Sequence, residues 1–93
     1  MEVPFTAKLS VADDILVREL GDESVILNLN DESYYGLDEV GTHMWNVLTS
    51  SESIQVAYET LIEEYDVEAN VLRGDLEELT VKLLKKGMLQ LND

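Results

Sequence analysis

Cysteine is absent from this sequence of 93 residues, which removes disulfides, thiolate metal sites and a cysteine nucleophile together and gives no sign of an oxidising compartment. Basic residues are scarce: six Lys and Arg stand against 20 Asp and Glu, for a formal charge of −14. A surface of that sign repels phosphate backbones and anionic lipid, so nucleic acid and membrane are not expected partners, and protein is. No apolar run approaches the roughly 18 residues of a membrane span. The opening Met1-Glu2-Val3-Pro4-Phe5 lacks the basic-then-apolar order of a secretory signal, so a cytoplasmic location is expected. Histidine occurs once, at His43, with no cysteine or second histidine to share a metal. Phosphate-binding glycine loops, dinucleotide fingerprints and Gly-x-Ser-x-Gly nucleophile turns are missing as well.

The abundant acids do not fill these gaps. Asn28, Asn30, Glu32 and Glu39 fall where an EF-hand loop places ligands, but Ser33 stands where that loop needs glycine, and the flanks read as strand instead of helix. Asp13-Asp14 and Glu63-Glu64 are adjacent pairs whose side chains point apart on a helix or strand, which suits solvation better than a shared proton. The chain is therefore expected to be no enzyme and to carry no cofactor.

Apolar residues make up 45% of the chain and are spread along it, enough for a core. A single domain over residues 1–93 is expected. Ile15–Leu20 and Ser24–Leu29, split by Gly21-Asp22-Glu23, read as a hairpin, and Ser33–Leu37 as a third strand after an Asn30-Asp31-Glu32 turn. Alternation puts Val25, Leu27 and Leu29 on one side of the second strand, the expected core face. Residues before Asp13 could add a short pairing segment.

From Asp38, a natural N-cap, the period becomes helical: Gly41, Met44, Trp45 and Leu48 share a face of a helix ending near Leu48. Ser53 caps a second helix with Ile54, Ala57, Tyr58, Leu61, Ile62 and Tyr65 on one stripe. A third, with Leu72, Leu76, Leu79 and Leu83 as its core stripe, runs to about Lys86 and stops at Gly87. The fold class expected is α+β and winged-helix-like, a three-stranded antiparallel sheet followed by three helices. Gly41 and Trp45 read as a close-approach point and a core anchor.

One stretch is recognisable beyond its periodicity. Tyr34-Tyr35-Gly36-Leu37-Asp38-Glu39-Val40-Gly41-Thr42-His43-Met44-Trp45-Asn46-Val47-Leu48 closely resembles the signature of PqqD-like proteins, recognition elements of ribosomal peptide modification, in which an aromatic strand turns into a helix bearing Trp. Leu61–Val67, Asp75–Leu79 and Lys86–Leu89 resemble the family's later helices and C-terminal end, so that the likeness spans about residues 14–91. The resemblance implies a protein without catalysis that takes the leader of a precursor peptide as an extra antiparallel strand on the edge of its third strand, here Ser33, Tyr34, Tyr35, Gly36 and Leu37, in a groove closed by the last helix. It implies as partners the leader peptide, and then a leader peptidase and cyclase of a lasso-peptide system or a radical modifying enzyme. The protein is expected to be a monomer or a strand-swapped dimer.

The helix side of such a groove follows from about 100° per residue. Val71, Asp75, Glu78, Lys82 and Lys86 lie on one flank of the leucine stripe, and Arg73, Glu77, Thr80 and Leu84 on the other. The first, with Leu79 beside it, is assigned to the ligand because it joins an apolar end to a basic end. Alternation sends Tyr34 and Tyr35 to opposite faces without saying which is buried. The alternative function is a winged-helix nucleic-acid-binding or regulatory domain, against which stand Glu59, Glu63, Glu64, Asp66, Glu68, Asp75, Glu77 and Glu78 on the expected second and third helices that would meet DNA.

Overall fold

A computed structural model describes residues 3–92. The elements follow the order β1 (Lys8–Val11), β2 (Ile15–Leu20), β3 (Glu23–Asn28), β4 (Ser33–Leu37), α1 (Glu39–Ser50), α2 (Ile54–Glu64), α3 (Ala69–Lys85) and β5 (Leu89–Asn92). The α+β class stands, with an antiparallel β2-β3-β4 meander followed by three helices. Gly21 turns β2 into β3 at φ 68°, a left-handed conformation that costs glycine nothing sterically.

The meander's faces are the reverse of the alternation reading. Ser24, Ile26 and Asn28 point inward and are buried, whereas Val25 and Leu27 are half-buried on the outer side and Leu29 is exposed. The inward polar groups are all paired, which is why their burial costs little. Ser24 Oγ and Thr42 Oγ1 are 2.9 Å apart. Asn28 donates from Nδ2 to the Lys86 carbonyl at 3.0 Å and accepts from the Asn30 N–H through Oδ1 at 3.0 Å. Counting apolar residues along a strand cannot detect partners that arrive from α1 and from the end of α3.

Helix starts fall where their caps are. Asp38 Oδ1 accepts from the Gly41 N–H at 2.8 Å, and Ser53 Oγ accepts from the Val56 N–H at 3.1 Å. On α1 Met44, Trp45 and Leu48 are buried with Thr42, and the helix continues to Ser50, past the expected end. The α2 stripe is as expected: Ile54, Ala57 and Leu61 are buried, and Tyr58, Ile62 and Tyr65 pack at its margin. On α3 Leu72, Leu76 and Leu83 are buried, but Thr80 joins them and Leu79 is only half-buried, which turns the stripe slightly away from the one read off the leucines.

The segment before Asp13 does pair, though not with the meander. β1 lies antiparallel to β5, with Lys8 opposite Asn92 and Val11 opposite Leu89, and these two strands form a separate small sheet. β5 itself went unforeseen, because Met88-Leu89 reads as the tail of a helix. Upstream of β1 the chain hangs on the start of α2: the Ala7 and Phe5 carbonyls accept from the Ile54 and Gln55 N–H groups at 2.9 and 2.7 Å. Val3, Phe5, Ala7 and Leu9 are buried there.

Gly74 sits inside α3, exposed, with nothing within 4 Å of where a Cβ would stand. Gly74→Ala therefore gains helix propensity without a clash, worth about 1 kcal/mol. The expected result is a melting temperature raised by about 4–8 °C in a thermal circular-dichroism scan.

Candidate functional site

Among the described residues β4 pairs only with β3, so its other edge presents backbone N–H and C=O groups without a strand partner there. Such an edge takes an extended segment by backbone hydrogen bonding whatever that segment's side chains, and selection falls to what lies alongside. Alongside it a cavity of about 400 Å³ opens between β4, the start of α1 and the middle of α3. Tyr35, Gly36 and Leu37 form one wall, Asp75 and Leu79 the facing one, and Val40, Gly41 and Met44 the floor.

The floor depends on Gly41. A Cβ at that position would stand 3.1 Å from Leu37 Cδ2 and 3.3 Å from Asp38 Oδ1, so those side chains would have to give by a few tenths of an ångström. This is the close approach the sequence suggested. Val40 and Met44 were not foreseen as part of the groove. Val40, 44% exposed, stood off the helical stripe and carried no signal beyond its place next to Gly41.

The two tyrosines divide cleanly. Tyr35 is half-buried against the core, with Lys86 Nζ 5.7 Å from its ring centroid, whereas Tyr34 is 69% exposed on the sheet's outer face. Of the flank assigned to the ligand, Asp75 and Leu79 line the cavity and Lys86 reaches Tyr35. Val71, Glu78 and Lys82 stand exposed on the same helix beyond the cavity wall, Lys82 Nζ 3.2 Å from Glu78 Oε1. The opposite flank is occupied. Arg73 lies 3.9 Å from the Phe5 ring centroid, its guanidinium donates to Gln55 at 3.4 Å, and Thr80 is fully buried.

Electrostatics follow the length of the groove, from Asp75 near Leu37 to Lys86 near Tyr35. At the Ser33 end the Asp31 carboxylate accepts from Ser33 Oγ at 2.6 Å and from the Ser33 N–H at 2.9 Å, which holds its pKa below the ordinary 3.8. A lowered carboxylate supports the turn at neutral pH and gives up that support only as the pH falls through the lowered value.

A larger hollow, about 470 Å³, lies between the β2–β3 turn, α1 and the end of α2. Its walls include Glu19, Asp22, Glu39 and Glu64, with His43 Nε2 2.5 Å from Glu64 Oε2 and the His43 ring edge-on to Tyr65. Burial, reinforced by Glu64, Glu39 and Asp38, raises the Tyr65 phenol above 10.0. β2, the sheet's other edge strand, borders this hollow through Glu19, but four carboxylates line it and would repel an acidic peptide, and among the described residues no group of His, Cys, Asp and Glu is arranged to hold a metal ion. The β4 groove is the better candidate.

Residues 23–89 match the family described as Coenzyme PQQ synthesis protein D (PqqD). The chain belongs to the PqqD family. The match runs from β3 to the first residue of β5, taking in the whole groove and leaving β1 and β2 outside. Among solved structures, the chain is similar to TbiB1 in complex with the TbiA(beta) leader peptide, at 27% identity and a TM-score of 0.80 over 87% of this chain and 94% of that one. The fold is also that of a lasso peptide synthetase B1 complexed with the leader peptide, at 23% identity and a TM-score of 0.81 over 90% and 99% of the two chains. No curated protein matches. Among the described residues, no helix of this PqqD-family chain is long and apolar enough to cross a membrane.

Proposed function

We propose that this PqqD-family chain binds the leader of a ribosomally made precursor peptide as a fourth strand along β4 and presents it to modifying enzymes, with no catalysis of its own. The observation that carries the reading is the unpaired β4 edge facing Asp75 and Leu79 across one cavity. The likeness to TbiB1, whose solved structure contains a leader peptide, supports it. The apolar wall suits an aliphatic anchor, and the Lys86 end suits an acidic side chain further along the same peptide. The enzymes served would be a leader peptidase and cyclase of a lasso-peptide system or, in the second place, a radical enzyme acting on a peptide. The setting proposed is the cytoplasm, and the unit one domain.

Titration of the precursor's leader against the purified chain tests this directly. Saturable binding accompanied by slowed amide exchange across Ser33–Leu37 is expected. Binding with no protection there would move the site elsewhere, and no binding would end the proposal. Charge reversal at Lys82 and Lys86 together should weaken an acidic leader by about tenfold at low ionic strength, since each exposed pair contributes up to about 1 kcal/mol. The effect should shrink as salt is added, because these ammonium groups are screened. Calorimetry at two salt concentrations reads both.

A further inference from the structure

One face of the β2-β3-β4 sheet packs on the helices, and among the described residues nothing covers Leu16, Leu20 and Tyr34 on the other. Strand register lines up Leu16, Leu27 and Tyr34 in one row across that outer face and Arg18, Val25 and Gly36 in the next. Leu16 is 42% exposed, Leu29 60%, Leu20 67% and Tyr34 69%. A sheet solvated on one side ordinarily turns polar residues to the water. Here Leu16, Leu20, Val25, Leu27 and Tyr34 instead surround a single cation, Arg18, with apolar surface, and apolar surface gathered on a solvent face marks a site where another molecule binds. Gly36 adds a feature: a hollow of about 280 Å³ lies at it, bordered by Leu20, Val25 and Leu37 and also by Glu23, Ser24 and Asp38, and nothing stands within 4 Å of a Cβ there. That is room for an apolar side chain to insert.

Charge indicates what covers the face. Asp22 and Glu23 stand exposed at one end, and Asp13, Asp14, Asp31 and Glu32 stand exposed at the other. Around Asp14 the turns are tied together, its carbonyl accepting from the Leu29 N–H at 2.9 Å. With acids at both ends, two copies stacked face to face set carboxylate against carboxylate in either orientation, on chains already at −14 each. A protein with an apolar centre and a rim of Lys and Arg is the matching occupant.

We propose that the outer face of this sheet docks the enzyme that processes the peptide, through an apolar, cation-rimmed patch on that enzyme. The inference rests on the reading of β4 as the peptide's edge. Tyr34 belongs both to β4 and to this face, so a strand added at β4 lengthens the same face by one row. The enzyme then rests on the chain and its captured peptide together, and its affinity for the pair exceeds that for the empty chain.

The test uses Leu16→Ser/Leu20→Ser, on the strand furthest from the β4 edge, with Leu20→Ser alone as the milder variant at a site two-thirds exposed. Leader affinity is read by calorimetry, leader processing by the enzyme encoded with the precursor at sub-saturating concentration, and mass by light scattering. Leader affinity should stay within about twofold, as for surface changes generally. Processing should fall about tenfold, the effect of losing an interface anchor. Asp22→Lys/Glu23→Lys should slow it in the same direction. Full processing by the serine variants overturns the docking surface. So does a wild-type dimer that they split into monomers, since the face then belongs to a second copy. Failure of the unmodified chain to bind leader is a separate result, which removes the β4 reading itself.

Discussion

Leu79→Glu should lower affinity for a leader peptide by one to two orders of magnitude while α3 remains folded. Leu79 is half-buried and forms the apolar part of the wall opposite β4. An aliphatic anchor seated against it loses about 1.5–3 kcal/mol when that contact goes, and each 1.4 kcal/mol is about tenfold in affinity. The new carboxylate also stands one turn from Asp75 and next to Glu78, so any acidic group on the peptide is pushed away further. Glutamate and leucine have similar helix propensities, and the circular-dichroism spectrum should be almost unchanged. Calorimetric titration decides it, and wild-type affinity in the variant would place the peptide outside this groove.

The second large effect is on the fold. Trp45→Ala should cost about 3–5 kcal/mol, because Trp45 is 4% exposed in the cluster that joins α1 to the sheet. Against a total of about 5–15 kcal/mol for a domain of ordinary stability, that is a large share. The melting temperature should drop by about 20 °C. Were Trp45 a peptide contact instead of a core anchor, the variant would melt near wild type and bind leader weakly. Thermal denaturation and titration together separate the two.

Much of this arrangement could be read from the chain before any coordinates. Caps announced themselves chemically: Asp38 and Ser53 each accept from the backbone three residues on, as short polar side chains ahead of an amphipathic run do. The helical angle also separated Asp75, which lines the cavity beside β4, from Arg73, which packs on Phe5; that the peptide lies there is our proposal. What stayed hidden depends on partners distant in sequence. Asn28 looks like an outward turn residue until the Lys86 carbonyl meets it, and Ser24 looks solvated until Thr42 does. Val40 and Met44 line the groove beside Gly41, where α1 lies close to the Leu37 side chain, a contact between elements that the helical stripe does not show. Lys82 reads as part of a basic line, yet its nearest charge is Glu78 on its own helix, which tempers its attraction for a ligand.

The pairing of β1 with β5 constrains the order in which the molecule assembles. Lys8 meets Asn92, so β1 must wait for β5, the element made after all the others described. Until β5 has emerged, Leu9 lacks Leu91 opposite it, and the start of α2 is held to Phe5 and Ala7 with no closed sheet behind them. Closing so long a loop is entropically costly and comes late, whereas the meander and the helices rest on nearer neighbours. The nascent chain can therefore complete its β4 edge before β1 and β5 are joined.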